Sequence, residues 1–314
     1  MLELLQKLLS LGWRREGASF HELDLDGARV GWAEFAPPAG ERPGRPRPTL
    51  LLLHGLGASG LSFYPLAPLL RRAFRVVVPD LPGCGISGLP PGREFLTFSE
   101  QVRATERFLE AVAPRGAFVA GNSMGGWMAA KLAARRPGLV RGLALLNPGG
   151  PALNAEDWSP FVALVAGEPA EMRQYFSRVF HRPPLGAQLL TRDFRRILRA
   201  PPVAQLLAHL EAEDFLSVEE MRRVRCPVVL VWGEEDGLIP ERCRAWFLEQ
   251  LPLARYEPVP DCGHCPQLEC PGRTAEALMK LPRMARSRRA ALTRGRVGAA
   301  YCAEGRACGC PRVP

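Results

Sequence analysis

Gly121-Asn122-Ser123-Met124-Gly125-Gly126 sets a serine in a G-x-S-x-G motif between a buried apolar run and a helical pattern. In that context a sharp turn holds the serine backbone in a strained geometry and exposes its hydroxyl at a helix N-terminus. The partial positive charge there favours a developing anion. A serine hydroxyl is a poor nucleophile near neutral pH, so it needs a base within hydrogen-bond reach and an acid to orient that base. His264, in Asp261-Cys262-Gly263-His264, lies in a loop after the last expected strand, and Asp236 lies in Trp232-Gly233-Glu234-Glu235-Asp236-Gly237, just after the strand before it. Ser123, His264 and Asp236 are therefore the expected nucleophile, base and acid. Glu234 and Glu235 are neighbouring carboxylates, and Asp236 is preferred by its place in the motif. His21, His181 and His209 are expected to be structural.

A tetrahedral intermediate also needs donors for its oxyanion. The glycine-rich turn Leu53-His54-Gly55-Leu56-Gly57-Ala58-Ser59-Gly60 can aim backbone amides at the site. The expected pair is the N–H of Leu56 and the N–H of Met124, and losing one such donor typically costs ~2.7 to 4 kcal/mol in the transition state. His54, Gly55, Gly57, Gly121 and Gly125 shape the supporting turns, with His54 orienting its loop and taking no part in proton transfer.

These groups must be carried by particular elements. Met1 to Trp13 reads as an amphipathic helix, and residues 18–36 as an antiparallel hairpin turning at Asp26-Gly27. After a proline-rich stretch from Pro37 to Pro48, strands and helices alternate. Thr49–Leu53, Phe74–Pro79, Gly116–Gly121 and Val140–Leu146 are expected strands, and Thr97–Ala113 and Met124–Arg135 expected helices. Apolar runs without alternation fit strands buried on both faces of a mostly parallel sheet covered by helices, an α/β class. Between Asn147 and Arg225 the strand pattern stops. Helical segments with Trp158, Phe161, Tyr175, Phe176, Phe180, Phe194 and Phe215 among many arginines read as an inserted helical lid. The sheet resumes at Pro227–Trp232 and Arg255–Val259, with helices at Glu241–Leu251 and from Pro266 to about Met279. The expected organisation is an N-terminal helix (1–17), a core in two parts (18–146 and 226–282) around the lid (147–225), and a basic tail (283–314) with the composition of a disordered segment.

The formal charge of +9 would suggest a nucleic-acid partner if it lay on folded structure. From Lys280 onward there are one Lys, eight Arg and one acid, Glu304, so the tail carries +8 of that total and the body is nearly neutral. No nucleic-acid partner is expected. Nine cysteines without regular spacing read as free thiols, and no run of eighteen apolar residues is present, which together point to a cytoplasmic protein without a membrane span. Cys262, Cys265 and Cys270 have a spacing that suggests zinc, but a metal at His264 would remove the base from Ser123. Neither metal nor cofactor is expected.

The HGLGASG loop, Asp80-Leu81-Pro82-Gly83-Cys84-Gly85-Ile86-Ser87-Gly88, GNSMGG, WGEEDGLIP and DCGHCPQLE occur in an order that resembles the α/β-hydrolase superfamily over residues 18–280. The order Ser, Asp, His is the one that fold produces. The resemblance implies a serine hydrolase cleaving a carboxylic ester or thioester of a moderately hydrophobic small molecule, in the manner of a carboxylesterase or lipase. GNSMGG also resembles hydrolases that cleave carbon–carbon bonds in ring-opened diketo acids. Those usually carry an aromatic residue after the catalytic histidine, where this chain has Cys265. A non-catalytic ligand-binding member of the fold is the third reading. The pattern leaves oligomeric state open.

Overall fold

A computed structural model describes residues 1–37, 47–152, 169–288 and 290. Trp158 and Phe161 of the expected lid, the middle of the proline-rich stretch and the tail from 291 lie outside them. The tail's first residues, through 288, are helical.

The chain begins with helix α1 (Leu2–Arg15), anchored by Trp13, whose ring meets Phe35 edge-on and stacks on Tyr64. Strands β1 (Ala18–Leu25) and β2 (Ala28–Phe35) form the hairpin. Its two turn residues have positive φ, 55° at Asp26 and 82° at Gly27, as a two-residue turn of this hand requires. The core then alternates β3 (Thr49–Leu53), α2 (Ala67–Leu70), β4 (Arg75–Pro79), α3 (Phe98–Val112), β5 (Ala117–Asn122), α4 (Met124–Arg135) and β6 (Val140–Leu146). Helices α5 (Pro169–Val179), α6 (Thr191–Leu198), α7 (Pro201–Ala208) and α8 (Val218–Arg223) follow, with no intervening strand among the described residues. The chain returns to the sheet with β7 (Val228–Gly233), α9 (Glu241–Gln250) and β8 (Arg255–Val259), then α10 (Pro266–Glu269) and α11 (Pro271–Leu278). The single helix expected from Pro266 to Met279 is thus two. Pro271 has no amide to donate and its ring crowds the preceding turn, so the first helix stops at Cys270.

The eight strands lie in the order β1-β2-β4-β3-β5-β6-β7-β8. β1, β2 and β4 pair antiparallel, and every pair from β4 through β8 is parallel. Alternate strand residues feed two apolar layers. Leu51, Leu53, Val119, Leu143 and Leu230 pack with α3, α4 and α9, while Leu50, Leu52, Phe118, Ala144 and Val229 pack with α1, α2 and α11. α4 is buried from Met124 to Ala134, and the charged member of that stretch, Lys131, donates to the carbonyls of Glu213 and Phe215 and to the Glu220 carboxylate at 2.7 to 2.9 Å. The helical segment is thereby tied to the helix that follows Ser123.

Candidate active site

Ser123 sits between β5 and α4 with φ 57° and ψ −121°, a left-handed conformation that a non-glycine residue holds only when its surroundings force it. The forcing is visible on both sides. A Cβ at Gly121 would collide with the Gly125 carbonyl, and one at Gly125 with the Leu53 carbonyl. The Ser123 amide donates to Leu146 O at 3.0 Å and its carbonyl accepts from Trp127 N, so β6 and the first turn of α4 fix the turn.

Asp236 and His264 come together after β7 and β8. His264 Nδ1 lies 2.8 Å from Asp236 Oδ2, with both side chains almost wholly buried. A carboxylate only accepts, so Nδ1 carries the shared proton, and in the neutral ring this leaves the Nε2 lone pair available. Asp236 Oδ1 accepts the amides of Leu238 and Ile239 at 2.8 and 3.0 Å, and Oδ2 also accepts Asn147 Nδ2 at 2.7 Å. Four donors therefore hold one carboxylate. Glu234 and Glu235 are exposed, so of the three adjacent acids Asp236 is the one at the imidazole.

His264 is clamped through both of its backbone polar groups. Its carbonyl accepts Asn122 Nδ2 at 2.9 Å, and its amide donates to Val179 O at 2.8 Å. Gln267 Nε2 in turn bonds Asn122 Oδ1 at 3.0 Å. Among the described residues the His264 ring has its hydrogen bond with Asp236, and none joins it to the Ser123 hydroxyl. Sequence reasoning missed Asn147, Asn122 and Gln267 as site residues. The last two lie inside quoted motifs, whereas Asn147 is marked only by its place at the end of β6, where its φ is 42°.

The glycine-rich loop lies beside the serine: a Cβ on Gly55 would stand 3.2 Å from Ser123 Cβ. His54 is fully buried, with Nδ1 at 2.8 Å from Gly55 O and Nε2 accepting the Leu81 amide at 3.0 Å. Both bonds suit the neutral ring, and burial holds the His54 pKa below its ordinary value against the raising influence of Asp80. His54 thus ties its loop to the Asp80–Gly88 loop. Among the described residues no hydrogen bond takes up the amide of Leu56 or of Met124.

The other histidines are occupied elsewhere. His21 stacks on Trp32, His209 bonds Gln205 O, and His181 Nε2 is 3.9 Å from Asp261. Burial pushes the thiols of Cys262 and Cys265 well above the usual range, aided at Cys265 by the Asp236 charge. Among the described residues no group of three potential ligands is placed to hold a metal ion. Nor is any described helix long and apolar enough to cross a membrane.

Helices α5 to α7 lie over these loops. Phe176, Val179, Phe180, Leu198, Val203 and Leu238 form an apolar cluster against which Leu56 and Cys265 pack. The Gly237 amide donates to Arg178 O at 3.1 Å, so the end of α5 touches both the Asp236 and the His264 loops.

The sequence profile of the "Alpha/beta hydrolase family" matches residues 50–277. Lipase 1 of Psychrobacter immobilis is 25% identical over 290 residues, 86% of each chain. A pimeloyl-[acyl-carrier protein] methyl ester esterase of Aromatoleum aromaticum is 31% identical over 252 residues, 72% of this chain and 94% of that one. The crystal structure of a membrane phospholipase A, described as a bacterial virulence factor, superposes with a TM-score of 0.75 at 28% identity, covering 91% of this chain and 94% of the other. Profile, relatives and the mostly parallel eight-stranded sheet agree: the chain belongs to the alpha/beta hydrolase family.

Proposed function

We propose that the protein is a serine hydrolase that cleaves a carboxylic ester or thioester of a moderately hydrophobic substrate through an acyl-enzyme at Ser123. Ser123 Oγ attacks the carbonyl carbon while His264 Nε2 takes its proton, and the oxyanion is held by the Leu56 and Met124 amides. His264 returns the proton to the departing alcohol or thiol. Water then adds to the acyl-enzyme by the same proton path and releases the acid. Asp236 stays ionised and stabilises the imidazolium.

The observation that carries this reading is the 2.8 Å bond between His264 Nδ1 and Asp236 Oδ2, which frees Nε2 to act as base. Relatives named a lipase and a methyl ester esterase support ester cleavage. The helices between β6 and β7 serve as a lid, and their apolar cluster suits an acyl or alkyl group, since such pockets gain affinity from buried apolar area.

Ser123→Ala should abolish turnover of 4-nitrophenyl esters of graded chain length and labelling by a fluorophosphonate probe. Undiminished turnover refutes the assignment, and absent labelling of the folded parent favours a non-catalytic member of the fold. A ring-opened diketo acid in the same panel tests carbon–carbon cleavage.

A further inference from the structure

Helix α1 carries more apolar surface than the fold uses. Eleven large hydrophobic side chains are exposed among the described residues, and Met1, Leu4, Leu5, Leu8 and Leu11 are five of them, so the excess is concentrated on one helix. At 3.6 residues per turn these five fall within an arc of about 120°, which leaves out the buried Trp13. Water meets a continuous leucine stripe.

That stripe adjoins a cationic edge. Arg192, Arg195 and Arg196 lie on α6, with Arg199 at its C-cap. The Leu2 amide donates to Asp193 Oδ2 at 3.0 Å and Arg196 pairs with Glu3 at 3.4 Å, so α1 and α6 are held together. A cleft of about 630 Å³ between them is lined by Met1, Leu189, Asp193 and the four arginines. Four guanidinium groups border this cleft, and the carboxylates beside them among the described residues are Asp193, which also pairs with the Met1 ammonium, and Glu3. Leu189 is two-thirds exposed and Leu185 fully so, which extends apolar surface along the segment leading into α6.

Leucine side chains gain by leaving water, and the arginine fork matches phosphate oxygens. An apolar face bordered by arginine is the pattern of a helix lying in a lipid interface. A second copy of the chain would present like charge to this edge, whereas an anionic lipid presents the opposite sign. We propose that α1 and α6 dock the protein peripherally on an anionic phospholipid surface, with the leucines at the acyl boundary and the arginines on the lipid phosphates. The surface is continuous with the roof of the candidate site, because Ile197 and Leu198 at the end of α6 lie against Gly57 in the loop beside Ser123.

The test is flotation of the full chain with large unilamellar vesicles of phosphatidylglycerol and phosphatidylcholine, and with phosphatidylcholine alone. Binding to the anionic vesicles is expected, about tenfold weaker on neutral vesicles and weakened by salt. Two variants, Leu4→Gln/Leu8→Gln/Leu11→Gln and Arg192→Gln/Arg199→Gln, should each lower binding about tenfold while the thermal melt is unchanged. All substituted positions are exposed, and if the leucine variant does not fold the arginine variant decides alone. The proposal is overturned if the parent chain does not float, or if the folded variants bind as well as the parent. It is equally overturned if light scattering finds a dimer that the leucine variant dissolves while no vesicle binding occurs.

Discussion

Replacing Asn147 by Leu keeps the branch at Cγ and the number of side-chain heavy atoms and removes every side-chain polar atom from one buried position. Asn147 Nδ2 donates to Asp236 Oδ2 at 2.7 Å and to Gly233 O at 3.3 Å, while its Oδ1 accepts the Gly233 amide at 2.9 Å. A hydrogen bond to a charged group contributes about 1.5 to 3 kcal/mol, so its loss, if it falls wholly on the transition state, lowers kcat between about tenfold and 150-fold. The leucine also strands the buried Gly233 amide, at about 1 to 3 kcal/mol of stability, which lowers the melting temperature by several degrees. Three donors to Asp236 remain, so the defect should be milder than that of Asp236→Asn, where the wrong histidine tautomer costs on the order of 10⁴ in kcat. The assay is kcat and KM measured separately on a short-chain nitrophenyl ester, beside the thermal melt. A fall in kcat at constant KM is expected, because the bond orients the acid and does not touch substrate. If kcat stays within about twofold while the melting temperature drops as calculated, Asn147 supports the fold alone and the reasoning fails.

Two further outcomes follow from neighbouring residues. Burial holds the His54 pKa below the ordinary 6.5, so the unfolded chain takes up a proton there before the folded chain does, and stability falls as pH drops below about 6.5. His54→Gln should shrink the difference in melting temperature between about pH 7.5 and pH 5, and an unchanged difference assigns the acid sensitivity to other groups. Asn122→Leu removes the bond to His264 O, so kcat should fall about tenfold and amide exchange should quicken across residues 262–267; normal exchange with normal kcat would show that the clamp is dispensable.

Much of this arrangement is legible in the chain because it is local. Leu50–Leu53 and Val76–Val78 have no polar partners in alternation, so they must be covered on both faces, and the strands fall where those runs lie. Ser123 is marked by a turn of closely spaced glycines, and Asp236 and His264 by turns in which glycine and carboxylates are neighbours in sequence. The residues that hold them are not marked in that way. Asn122 reaches a carbonyl 142 residues away, Gln267 an amide oxygen 145 away and Asn147 a carboxylate 89 away. An asparagine at a strand end reads as a turn former until the partner strand is known. Proline at 271 was visible, yet a strongly helical context on both sides hides the break that its missing amide imposes.

The order of the strands explains why asparagines are needed at all. Ser123 follows β5 and Asp236 follows β7, so β6 stands between them, and at ~4.8 Å per strand their backbones are about 10 Å apart. A carboxylate cannot span that gap, and an imidazole carried on the loop after β8 must be folded back across β7 to bridge it. Asn147, at the end of β6, braces the carboxylate from the side facing the serine, and Asn122, at the end of β5, draws the His264 peptide back over the sheet edge. The amide of the same residue, in the preceding peptide, is held by the Val179 carbonyl at the end of α5. Any displacement of α5 must therefore pull on the His264 amide directly. The helices over the site and the proposed base are joined by one backbone hydrogen bond, so motion of the first reaches the second without an intermediate residue.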